Sequence, residues 1–99
     1  MINAEEARAA TMKSVEKIAK EFIWNNVGTR IQEEIDSCHF FATVSFEGVS
    51  NAKVVGAKVV ELLEDLGYEA KHEYYDGPNG YDNYILIKWE NNKDDGLPV

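Results

Sequence analysis

The feature that most constrains the fold is a change of hydrophobic period part-way along the chain. From Asn3 to about residue 37 the apolar side chains recur every three or four positions, the spacing of an amphipathic helix. Ala4, Ala7, Thr11, Val15, Ile18, Ala19 and Phe22 share one side. From His39 to Phe46 the period falls to two: Phe40, Ala42, Val44 and Phe46 alternate with His39, Phe41, Thr43 and Ser45. Helical spacing returns at Val55, Val59, Leu62, Leu63 and Leu66. It gives way again to two strand-like runs, YEAKHEYY and NYILIKWE. The order helix, strand, helix, strand, strand predicts an α+β, two-layer domain over 1–91. A long N-terminal helix precedes a β-α-β-β unit. A crossover from the first strand to the second and a hairpin into the third predict a three-stranded mixed sheet.

Boundary residues agree with this order. Asn3 with Glu6 three positions later is a capping-box pattern. Glu16 and Lys20 form an i, i+4 pair of opposite charge. Gly28 interrupts the helical run. Ile31 and Ile35 carry a second helical piece over 29–37, either separate or a kinked continuation of the first. Ser50 or Asn51 caps the middle helix, and Gly67 suits the position just past its end. Between the last two strands, DGPNGYDN has the residue types of a long hairpin turn. It matches neither a phosphate-binding loop nor an EF-hand. The polar tail 92–99 is expected to be flexible.

Charge excludes one class of partner. Ten Lys and Arg face eighteen Asp and Glu, a net charge of −8. Residues 1–30 hold five basic and four acidic groups, and residues 31–99 hold five and fourteen. Such a chain repels the backbone of duplex nucleic acid over most of its length. Cys38 is the sole cysteine, no leader-like segment opens the chain, and no apolar run is long enough to span a membrane. The expected location is the cytoplasm.

No catalytic constellation emerges. Cys38, His39, His72, Asp76 and Asp82 lack metal-ligand spacing, so neither metal nor cofactor is expected. Cys38 and His39 are adjacent, which opposes a nucleophilic pair. The chain therefore reads as non-catalytic. Two places suggest binding. Trp24, flanked in sequence by Lys17, Lys20 and Arg30, either covers the edge of the core or projects outward, where an aromatic ring and cations suit a base and its phosphate. Tyr81 and Asp82 would be the contacts if the hairpin loop binds anything. The candidate ligand-binding set is thus Lys20, Trp24, Arg30, Tyr81 and Asp82. Separately, Phe41, Tyr75, Tyr84 and Leu86 make the outer face of the sheet too apolar for plain solvent; either the first helix crosses over to cover it, or, as favoured, it is an interface in a homo-oligomer.

INAEEARAAT, LEDLGYEA and YILIKWE resemble a loose group of small phage-encoded α+β accessory proteins. These motifs form a helix start, a helix-to-strand junction and a final strand, so no active site is carried over. The resemblance implies a dispensable role in infection, in the host cytoplasm, as an antagonist of host antiviral defence. Such a protein would sequester a small nucleotide-derived immune signal. Alternatively, it would bind a host defence protein directly as an acidic, anti-CRISPR-like mimic of nucleic acid, or serve as a structural homo-oligomer.

Overall fold

In a computed structural model of the chain, residues 1–77 and 80–90 are described, with the side chains of 75–82 outside that description. The expected tail, 92–99, lies outside the described residues. Three helical pieces run end to end: α1 (Ala4–Phe22), a π-helical turn (Ile23–Val27) and α2 (Gly28–Asp36). Then come β1 (Phe41–Ser45), α3 (Ala52–Asp65), β2 (Glu69–Gly77) and β3 (Gly80–Lys88).

The π turn answers a problem of phase. The buried positions Val15, Ala19, Val27 and Ile31 fall on a spacing of four. An α-helix turns about 100° per residue, so without correction Val27 and Ile31 would sit roughly 120° and 160° away from Val15. One residue absorbed by the wider turn brings them back to roughly 20° and 60°. The same geometry leaves Trp24 roughly opposite the buried stripe. The interruption expected at Gly28 falls in the turn before it, Ile23–Val27. Gly28 is regular helix (φ −57°, ψ −44°), and the irregularity lies in the preceding turn. The combined helix is about 50 Å long and α3 about 21 Å, at 1.5 Å per residue. The first three turns of α1 therefore outrun the body. Ala4 and Thr11, on the correct side, are exposed, and burial begins at Val15.

Caps follow local chemistry. The Asn3 side chain accepts from the Glu6 amide at 2.8 Å, and the Glu6 carboxylate accepts from the Asn3 amide at 3.1 Å. Gly67 (φ +99°) ends α3, with Tyr68 N–H donating to the Leu63 carbonyl and Gly67 N–H to that of Glu64. The same double closure ends α2, where His39 N–H reaches the Glu34 carbonyl and Cys38 N–H that of Ile35. There Cys38 takes the left-handed position (φ +66°) that glycine usually fills. Asn51 precedes α3 in a left-handed conformation and makes no side-chain cap.

The sheet has order β1-β3-β2, and both pairs are antiparallel, which corrects the expected mixed sheet. β1 and β2 do run the same way, as a crossover requires, but β3 lies between them. The physical reason is that β3 carries the most apolar run, and the central place shields both its edges. Ile85 and Ile87 are wholly buried there. The β2–β3 ladder continues to Gly77 opposite Gly80, so most of the expected long loop is strand.

All three helices contribute to one face of the sheet. Val15, Ala19, Val27 and Ile31 from the long helix meet Val55, Val59 and Leu63 from α3 over Val44, Phe46, Ile85 and Ile87. Phe22 packs edge-on to Phe46 at 4.7 Å between ring centroids. Phe40, expected on this face, is 55% exposed because it precedes β1. One polar seam crosses the core. Buried Asn83 donates from Nδ2 to the Phe46 carbonyl at 3.1 Å, and its Oδ1 lies 2.6 Å from His72 Nε2. Because the amide oxygen accepts, His72 Nε2 carries the proton. The ring packs over Gly56, where an added Cβ would overlap it.

Candidate functional site

The expected ligand-binding residues separate in space. Trp24 is 84% exposed on the π turn. It stands between two grooves. One, of about 650 Å³, runs along the outer side of α2 past Gly28, Gln32, Glu33 and Asp36; Gly28 has no side chain to close it. The other, of about 360 Å³, separates Trp24 from the end of α3 and is lined by Lys20, Ile23, Leu62, Asp65 and Leu66. Leu66, 69% exposed, also borders a third hollow with Ile31, Ile35, Tyr68 and Trp89. Trp24, Leu66 and Ile35 thus belong to one apolar surface at the end of the sheet marked by Gly67 and Trp89. Lys20 joins this surface but also pairs with Glu16 at 3.2 Å.

Arg30 points elsewhere. Its Nε donates to the Thr43 carbonyl at 3.2 Å, and its other nitrogens meet Glu33 at 2.7 Å and Glu34 at 2.9 Å. The guanidinium is a clamp between α2 and the free edge of β1. The Glu33 hydrogen bond leads the causes that raise the Arg30 pKa. Glu34 also lies 2.5 Å from His39 Nδ1. That contact, then the hydrogen bond from Arg30, holds its carboxyl below the usual value against a cost of desolvation. Tyr81 lies near the hairpin end, opposite Asp76, and Asp82 lies opposite Tyr75. Tyr81 is seven residues from Lys88 along β3, roughly 23 Å at strand rise. The backbone therefore sets it far from the end bearing Trp89, while the side chains of Tyr81 and Asp82 lie outside the description.

Of the four expected interface residues, three have described side chains. Phe41, Tyr84 and Leu86 share the sheet face that no helix covers among the described residues. Phe41 is 51% exposed and stacks on His39 at 5.9 Å. Tyr75 occupies the ladder opposite Asp82, and its side chain lies outside the description.

Sequence reasoning missed Asn83, His72 as its partner, and Gly56. The available signal was parity: Asn83 lies two residues before Ile85 and four before Ile87, on the same side of the strand. Among the described residues, no group of three His, Cys, Asp or Glu could hold a metal ion. No described helix is long and apolar enough to cross a membrane.

Comparisons with protein-family models, with curated proteins and with solved structures find no match. What the molecule does must therefore be argued from its surfaces. The Trp24 surface offers aromatic stacking and apolar contact, with Glu33, Asp36 and Asp65 around it and Lys20 as the one cation lining its two grooves. That combination suits a partner with apolar anchors and positive charge.

Proposed function

We propose that the protein is a non-catalytic, phage-type antagonist of host antiviral defence that acts by binding a basic defence protein directly. The defence role rests on the sequence resemblance; the observation that carries binding of a basic partner is Trp24, 84% exposed between grooves edged by carboxylates. Tryptophan at the centre of an apolar patch with a charged rim is the usual composition of an affinity-determining contact. The net charge of −8 attracts a basic partner to the molecule, and Glu33, Asp36 and Asp65 are the acids nearest this surface. Immobilised protein exposed to lysate from a defence-active host tests this. A basic protein should be retained, released by salt, and lost with Trp24→Ala. Adding purified chain should also inhibit that protein's own activity. Retention unaffected by salt and by the substitution would overturn the reading.

A second reading has its own observation. Lys20 and Trp24 line one groove, so a base stacked on the indole could place its phosphate at the ammonium. The protein would then sequester a nucleotide-derived immune signal and lower its free concentration. Native mass spectra after exposure to lysate from infected, defence-active cells decide between the two. Added mass of several hundred daltons, lost with Trp24→Ala, supports sequestration. Binding should then be reproduced with a panel of cyclic nucleotides and ADP-ribose derivatives.

A further inference from the structure

We propose that a second copy of this chain docks on the open face of the sheet, independently of what the Trp24 surface binds. The ladder sets three complete rows across this face: Phe41, Lys88 and Glu69; Thr43, Leu86 and Lys71; Ser45, Tyr84 and Glu73. Leu86 and Tyr84 are half-buried in its middle, on the strand flanked on both sides, and Phe41 stands at one corner. This apolar centre belongs to a layer whose other face is fully used by the helices.

Charge selects the occupant. Two chains of net charge −8 repel, so they can meet only where the local charge cancels. Lys71 and Lys88 match Glu69 and Glu73 over these rows, and Lys71 pairs with Glu73 at 3.1 Å. A basic partner gains little from such a face, whereas a second acidic copy meets less repulsion there than the net charge imposes elsewhere. The Trp24 surface, with its carboxylate rim, has the reverse character. A sheet-to-sheet contact, with the layers about 10 Å apart, would bury Leu86 and Tyr84 against their equivalents. The three rows span roughly 14 Å along the strands and 10 Å across them. That is well below the roughly 800 Å² per partner of a standard interface. The expected association is therefore weak and reversible. Dimerisation would also present two Trp24 surfaces at once and add avidity toward a multivalent target.

Sedimentation velocity of the full chain between about 1 and 500 µM tests the proposal. The expected result is a reversible shift from 11.2 kDa to twice that mass. Lys71→Glu makes the face acidic and should weaken the dimer about tenfold or more, with recovery at high salt. Leu86→Glu should abolish it, with unchanged circular dichroism showing that the fold is kept. Phe41→Ser provides a milder second variant should Leu86→Glu not fold. A chain that stays monomeric throughout overturns the proposal. So does a dimer that survives Lys71→Glu and Phe41→Ser but is lost with Trp24→Ala.

Discussion

The Trp24 surface and the open sheet face are both apolar and both uncovered, yet they arise differently. Trp24 is exposed because it lies opposite the stripe that begins at Val15 and Ala19, while the π turn returns Val27 and Ile31 to that stripe. Phe41, Tyr84 and Leu86 are left uncovered by helices because strand residues alternate and the helices lie on the other side. One surface is ringed by carboxylates, and the other has its charges balanced over the three rows from Phe41 to Ser45. Apolar exposure alone therefore does not say what a surface meets; the surrounding charge is what distinguishes the two proposed occupants, a basic partner and a second copy.

That contrast can be broken from either side. The largest effect is expected from Trp24→Ala. Removing a central tryptophan should lower affinity for the partner by about 30-fold or more. Being exposed, Trp24 should leave stability within about 0.5 kcal/mol and the oligomeric state unchanged. Titration calorimetry and sedimentation on the same variant check both halves. A variant that lost both properties would show that the two surfaces are one.

Gly56→Ala is expected to damage both surfaces together, since both rest on one core. The new methyl would force the His72 ring off its place beside Asn83, costing about 1–3 kcal/mol in urea unfolding. His72→Ala in the same chain should relieve the overlap, so the two costs should not add. Additive costs would mean that the ring is not what Gly56 accommodates.

Cys38→Gly sharpens the comparison on the sheet side. The residue leads into β1 from a left-handed position, and glycine there should raise stability by about 0.5–1 kcal/mol. Thermal unfolding measures it, and no gain would mean that the position carries little strain.

The smallest effect concerns acid. Glu34 binds its proton less readily in the folded chain than its ordinary value of 4.5 implies, chiefly through His39 and then Arg30. Its contribution is complete above 4.5. It is lost as pH falls through the lowered folded value. Glu34→Gln should therefore be less stable than the wild-type chain near neutrality, and the difference should close in acid. A difference independent of pH would assign the effect to packing.

Much of the fold was legible because its signals are local. The capping box at Asn3 and Glu6, the stop at Gly67 and the alternation through Phe46 each depend on neighbours within a few residues. So did the sorting of Phe41, Tyr84 and Leu86 onto one face. The candidate site was less legible. Arg30 looked available beside Trp24 in sequence, but a side chain's partners depend on which strand edge comes alongside, and here the Thr43 carbonyl and two glutamates hold it.

The sequence by itself determined the alternation of helix and strand and the excess of negative charge, because period and composition require no long-range contact. Only the tertiary structure decided that β3 lies between β1 and β2, that the helix absorbs a residue before Gly28, and that Asn83 closes a polar seam with His72 and Phe46. Each of these satisfies a demand made by a distant part of the chain. A central apolar strand needs two flanking strands, a stripe spaced by four must stay in phase with one core, and a buried amide must find both a donor and an acceptor.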